Sequence, residues 1–406
     1  MTTRPCWVEI RTRALEENFR FLAGLASPHA ELLAIVKANA YGHSLALCAP
    51  AIVHAGARWL GVTSVEEGIV ARALCPEALV LIIGGVFPGQ AAAAIQFQLT
   101  PVAWEPWQLD ELLAAARTLG AQPGSVPIHL EIDTGMSRQG ASLNDLVAIF
   151  ARLGPGSPLR LEGVMTHLFA ADEADGQVTQ EQLVRLDEAM SRVSAAGLFA
   201  EWLNVGASAT LLAGQARVIA DLAARHGMKA MLRPGLALYG LVPRFDPAFG
   251  APDQPTTLAE PASLAAARAA LQPVLTWKAS VAGVRPVRPG ATVGYNGTFV
   301  ATEPMRLALV SAGYGDGLTR SLGNHFSLLV RGQRAPVVGR VSMDQIVLDV
   351  TEIPGVEHGD EVVLLGSQDS ESGNETITAF DHADAAGTIP WEVFTRIAPR
   401  VPRIAV

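Results

Sequence analysis

The sequence predicts an α/β protein, an N-terminal (β/α)8 barrel of the TIM type followed by a mostly-β C-terminal domain. Three observations predict it. Eight short apolar runs alternate with segments of helical period between about residues 30 and 240. Nothing resembling GxGxxG follows the first run, which argues against an open doubly wound sheet. After about residue 241 the texture changes to β-type runs broken by Gly and Pro.

In chain order the apolar runs are 32–36, 59–63, 79–83, 98–103, 127–132, 160–166, 201–205 and 229–232. Between them lie 64–75, 108–120 and 178–197, whose apolar residues recur at three and four and whose starts carry Ser, Thr or Asp as caps. A barrel domain is therefore expected over 1–241 and a β-domain over 242–406. A Pro/Ala-rich stretch, 243–272, reads as a surface excursion linking them. Beyond it the β-type runs are 274–287, 306–311, 326–331, 336–350 and 361–366, so that half looks all-β.

Composition narrows the function. With 406 residues, half of them apolar, the chain can build a large core. The net charge of -9 comes from scattered acids, and no Lys/Arg run points to nucleic acid or an anionic membrane, so a small molecule is the expected partner. The longest apolar runs, such as Leu79 to Phe87, fall short of the ~20 residues that span a bilayer. The start, MTTRPCWVEI, has no signal-like region, which leads us to expect a cytoplasmic protein. Cys6, Cys48 and Cys75 are far apart and show no CxxC, against a disulfide framework or a zinc cluster.

Chemistry in a barrel sits at the C-terminal ends of the strands. Lys37 follows the first run, Glu131 to Arg138 leaves the fifth, His167 ends the sixth, Ser208 follows the seventh and Arg233 the eighth. Lys37 alone reads either as a strand-end lysine reaching solvent or as a Schiff-base lysine, because partial desolvation makes an amine a usable nucleophile toward an aldehyde. Ser208 and Gly235 lie after strands 7 and 8, where barrels often bind phosphate. Together they describe a pyridoxal 5'-phosphate site.

Seven motifs, VKANAYGHS, DTGMSRQG, RPGLALYG, VGYNGTF, GYGDGLTR, GRVSMDQ and RVPRI, occur in the order expected of the alanine racemase family, which this chain resembles over almost its whole length. The resemblance implies a pyridoxal phosphate-dependent, two-base interconversion of L- and D-alanine by a homodimer whose active sites are shared. It makes Lys37 the Schiff-base lysine and one base, and Tyr295, from the other subunit, the second. Two bases suit the chemistry, since the α-proton must leave one face and return to the other. Arg233 is similar to the arginine that hydrogen-bonds the pyridine nitrogen without surrendering its proton, which weakens the electron sink and disfavours side reactions. His167 resembles the histidine packed against the cofactor ring. Tyr41, Ser208, Gly235, Leu236 and Trp391 match phosphate contacts, while Arg138 and the Met343 backbone match contacts to the substrate carboxylate. Asp344 and Tyr314 fall in motifs that line the access channel.

There are departures. Glu131 stands where many members carry a lysine that becomes a carbamate, and its carboxylate is expected to serve as a permanent anion for Arg138. The usual Asn-Ser pair reads Ala207-Ser208, Asn204 stands where histidine is common, and Trp391 replaces a phosphate-binding tyrosine. Methylene-scale changes in such pockets shift discrimination by only ~1–3 kcal/mol. A serine or broader-specificity racemase is thus the first alternative, followed by a decarboxylase relative or a cofactor-binding protein without turnover. The decarboxylase is disfavoured by Arg233, the binding protein by the presence of both bases.

Overall fold

Short Val/Ile/Leu runs buried on both faces are what a closed parallel sheet requires, and eight of them close here. The computed structural model describes residues 5–173, 176–245, 260–370 and 373–406. They fall into two compact units. Arg13–Ala40 with Cys48–Gln272 form one, and the segment through Thr12, Tyr41–Leu47 and Pro273–Val406 form the other.

The first unit is the barrel. Its strands are β2 (Ala30–Ile35), β3 (Trp59–Val62), β4 (Leu79–Ile82), β5 (Thr100–Ala103), β6 (Val126–Glu131), β7 (Leu159–Thr166), β8 (Trp202–Ala207) and β9 (Lys229–Arg233), closed in that order, after β1 (Cys6–Ile10) of the other unit. Closure is made by β2 on β9, with Leu32 opposite Leu232. Each strand lies within two residues of the run that predicted it, and the helices Val65–Leu74, Pro106–Thr118 and Gln177–Ala195 occupy the expected segments. Local chemistry explains their starts: Ser64 caps the first helix by accepting from Glu67 N, and Pro106 opens the second behind a Glu105/Gln108 capping box.

The second unit is a sheet built on β10 (Leu275–Val287). Its path runs β15-β14-β17-β10-β1-β19, in which β14 is Ser327–Val330, β15 Gln333–Pro336, β17 Glu361–Ser370 and β19 Arg403–Ala405. Strands β13 (Met305–Val310) and β16 (Ile346–Asp349) extend from β10, and β18 (Gly373–Ile377) pairs with β17. Strands β11 (Thr292–Val293) and β12 (Phe299–Val300) form a separate ribbon. Cys6 pairs with Ala279 and Val8 with Arg403, so both ends of the chain lie in one sheet.

Two expectations need correction. The stretch 336–350 is not one strand but the end of β15 and all of β16, separated by the GRVSMDQ loop. The C-terminal half is not all-β: helices Ala379–Ala386 and Pro390–Arg396 lie in it, the first started by a Thr378/Asp381 capping box and the second by proline at N1. Of the 243–272 excursion, 246–259 lie outside the described residues, and Ala262–Ala270 is a helix. Among the described residues no helix is long and apolar enough to cross a membrane.

Candidate active site

Lys37 lies two residues past the end of β2, at the start of an unusual turn. Ala38, Asn39, Ala40 and Tyr41 all have left-handed backbone, with φ of 53, 53, 56 and 51°. Each non-glycine residue there costs about 1–2 kcal/mol, so the turn persists only because its surroundings hold it. The Val36 amide donates to Gly61 O at 2.9 Å and the Ala40 amide to Val36 O at 2.8 Å. Glu67 accepts from the Asn39 amide at 3.2 Å and from the Thr63 amide at 3.0 Å, tying the turn to the loop after β3. Burial, then Arg138 and Arg233, lower the Lys37 pKa, against which Glu67 acts. The ammonium is thereby made readier to become a free amine.

Arg233, at the end of β9, is only 4% exposed. One terminal nitrogen donates to Asn204 O at 2.7 Å and Asn204 Oδ1 at 2.6 Å, the other to Thr166 O at 2.8 Å and His167 Nδ1 at 3.3 Å. A guanidinium has five N–H donors, so four are committed and, among the described residues, the Nε–H has no acceptor. Burial lowers its pKa to about 10 while Glu131 supports the charge, and it stays protonated at neutral pH. His167 accepts at Nδ1, which puts its own proton on Nε2. Burial and then the Arg233, Arg138 and Lys37 charges push its pKa down to about 3, so the imidazole is neutral.

Ser208 follows β8 through Gly206. The φ of +81° at this glycine favours no side chain, and a Cβ there would lie 2.5 Å from Thr210 Oγ1. The Ser208 Oγ accepts from the Gly235 amide at 3.0 Å and the Ala237 amide at 3.2 Å. Neither of these bonds uses the hydroxyl hydrogen, which remains available to donate. Gly235 thus spends its amide on Ser208 rather than keeping it for an anion, while Leu236 opens the short turn Leu236–Tyr239. Glu131 is buried at the end of β6 and burial raises its pKa. Its hydrogen-bond partner is Gln139, which also donates to Ile83 O at 2.9 Å. Among the described residues no ion pair joins Glu131 to Arg138, and the Arg138 charge reaches the carboxylate without direct contact. Arg138 is exposed and acts on Lys37, His167 and Glu131 through its charge.

The other candidates lie in the second unit. Tyr41 is buried and its pKa is pushed up to about 12, so its phenol keeps its hydrogen. Trp391 is half-buried near the start of helix Pro390–Arg396. Tyr295 and Met343, 67% and 53% exposed, line one surface cavity of about 440 Å³ with Gly294, Ser342, Asp344 and Gln345. Its floor is fixed by GYGDG: the Tyr314 amide donates to Ser342 O at 2.9 Å and the Gly315 amide to Met343 O at 2.8 Å. A Cβ on Gly313 would sit 2.3 Å from Ser342 O, which explains the glycine. Asp316, fully buried, accepts from Arg400, and Arg400 donates to Asp344 at 2.7 Å.

Sequence reasoning missed Glu67, Gln139 and Gln182 and left Asn204 without a partner. Only Gln182 carried a signal, a polar residue on the apolar face of its helix beside Leu183 and Leu186.

A parallel barrel with a desolvated amine, a spare guanidinium donor and a hydroxyl at one rim defines an enzyme of amine–carbonyl chemistry. Residues 10–243 match the family profile described as alanine racemase, N-terminal domain, and residues 274–405 the one described as alanine racemase, C-terminal domain. The chain belongs to the alanine racemase family. An alanine racemase of Nostoc sp. is 36% identical over 408 aligned residues, spanning 100% of this chain and 96% of that protein. The crystal structure of alanine racemase from D-cycloserine-producing Streptomyces lavendulae matches with a TM-score of 0.84 and 33% identity, covering 100% of this chain and 98% of that one. That of alanine racemase from Bartonella henselae, with covalently bound pyridoxal phosphate, matches with a TM-score of 0.79 and 26% identity over 99% of each chain.

Proposed function

We infer that this protein interconverts L-alanine and D-alanine with pyridoxal 5'-phosphate as cofactor. The observation that carries the reading is the Arg233 arrangement, in which four committed donors leave one N–H for a ring nitrogen. The residues fit the cofactor in kind: an amine at Lys37, a hydroxyl hydrogen at Ser208, a protonated phenol at Tyr41 and a neutral imidazole at His167.

Bound pyridoxal phosphate supplies an aldehyde for amines and a ring that withdraws electrons from the substrate Cα. Arg233 would donate its Nε–H to the ring nitrogen and, being a guanidinium, would not give up its proton to it. Ser208, Leu236, Tyr41 and Trp391 are assigned to the phosphate, with Gly235 holding Ser208 in place. Arg138 and the Met343 amide take the substrate carboxylate. Lys37, its pKa lowered, removes or returns the α-proton on one face, and Tyr295 does so on the other.

We propose that the barrel domain, expected over 1–241, holds the cofactor and that 242–406 is the β-domain, although β1 and Tyr41–Leu47 pack in the β unit and the barrel unit runs on to Gln272; we also propose a cytoplasmic homodimer. Exposure of Tyr295 and Met343 on one cavity supports it, because both are reactive or binding groups facing outward. In such a pair Tyr295 of the partner subunit and Met343 of the partner subunit complete each site.

The test is to supply D- and L-alanine, serine and lysine separately and follow optical rotation. Alanine of either hand should lose its rotation, and the visible absorbance of the bound cofactor should be lost in Lys37→Ala. Retained rotation with alanine would refute the reading.

A further inference from the structure

We propose that Gln182 is a positioning residue of the barrel mouth, a single buried amide that couples the loop carrying His167 to the loop carrying Arg138. The proposal rests on the racemase reading for its kinetic consequences but on geometry for the coupling. Gln182 sits on helix Gln177–Ala195 with no exposure at all. A buried amide is costly unless its hydrogen bonds are made.

Its three side-chain bonds among the described residues cross to the loops after β6 and β7. Nε2 donates to Thr134 Oγ1 at 2.9 Å and to His167 O at 3.0 Å, and Oε1 accepts from the Phe169 amide at 3.2 Å. His167 is therefore gripped at its own carbonyl and at the amide two residues on. The other arm continues inward. The Thr166 hydroxyl donates to Ile132 O at 2.8 Å, so at the 2.7 Å contact between the two threonines Thr134 must be the donor. Donors then run in one direction, from Gln182 to Thr134 to Thr166 to Ile132, and the carbonyl of that same Thr166 receives Arg233.

The turn leading to Arg138 rests on the same helix. Arg185, one turn beyond Gln182, donates to Thr134 O at 2.7 Å. Asp133 then stiffens the turn by accepting from the Gly135 amide at 2.9 Å and the Ser137 amide at 3.1 Å. Arg138 follows directly. Among the described residues the Gln182 side chain spends its bonds on these two loops, so removing the amide releases both at once.

The experiment replaces Gln182 with Met, of similar length but without the amide, in the holoenzyme. Expected are weaker cofactor retention through His167, a raised KM for alanine through Arg138, and kcat/KM reduced tenfold or more, toward the ~10²-fold that a 1 Å misplacement costs. Amide hydrogen exchange should quicken at Phe169 and across 134–138. Combined with Thr134→Val, the losses should be less than additive, since both cut one relay. A lowered melting temperature with cofactor retention, KM, kcat and loop exchange all within twofold of wild type would overturn the proposal. If Gln182→Met does not fold, Gln182→Glu keeps the size and the acceptor for Phe169 but loses both N–H donors when ionised, and it is judged by the same criteria. Failure of the wild type to racemise alanine would sink the racemase reading alone; the exchange data would then decide the coupling.

Discussion

Arg233 keeps its charge in a nearly closed site because, among the described residues, an acceptor faces every N–H but one, and two of those acceptors belong to Asn204. Hydrogen bonds to charged groups contribute about 1.5–3 kcal/mol. Asn204→Leu removes the side-chain acceptor and keeps the carbonyl, so cofactor affinity and kcat/KM should each fall about tenfold or more, as titration of the apoprotein and steady-state rates would show; unchanged affinity contradicts the clamp. His129, packed in the barrel beside Trp59 with no hydrogen bond to either ring nitrogen among the described residues, predicts a pH effect. Burial, then the Arg233 and Arg160 charges, push its pKa from the ordinary 6.5 down to about 3. The unfolded chain binds a proton below 6.5 that the folded chain refuses, so this stabilisation is full above pH 6.5 and is lost as pH falls toward 3, by up to about 1.4 kcal/mol per unit. In melting curves between pH 7 and 4.5, His129→Phe should therefore decline less steeply than wild type. Equal slopes would contradict it. At this scale Lys37, Arg233 and His167 were legible because motifs mark them. The partners of Arg233 were not, since Asn204 and Thr166 lie 29 and 67 positions away and meet it only once the barrel closes.

The left-handed turn after β2 is the element on which the reactive amine depends. Glycine adopts this backbone freely, so Ala38→Gly relieves strain of about 1 kcal/mol. We expect a slightly higher melting temperature together with a several-fold lower kcat, because the turn then has other conformations to visit; an unchanged kcat would show that the strain does not serve Lys37. Glu67→Ala releases the Asn39 and Thr63 amides and removes the charge that raises the Lys37 pKa. Its kcat should fall, and the acidic limb of its rate profile should move to lower pH. An unshifted limb would mean that Glu67 does not act on Lys37. Strands and amphipathic helices were readable here because burial imposes their periods. The turn was not, since left-handed alanine has no sequence signal, and the two late helices were hidden by the β-rich runs around them.

For the whole molecule, β1 and β19 could not be read as neighbours, because pairing between the two ends of a chain leaves no local pattern. The homodimer makes a direct prediction. Mixing Lys37→Ala chains with Tyr295→Phe chains gives mixed dimers in which one site carries both lesions and the other neither, so activity should return to roughly a quarter of wild type. No recovery would place both residues of a site on one chain. The central claim, that Lys37 and Tyr295 carry the proton on opposite faces, is tested most directly by following α-hydrogen exchange into heavy water from each alanine enantiomer with Tyr295→Phe. The account predicts that one enantiomer still exchanges through Lys37, the other does not, and racemisation falls by ~10²–10⁴. Equal exchange from both enantiomers with racemisation intact would contradict it.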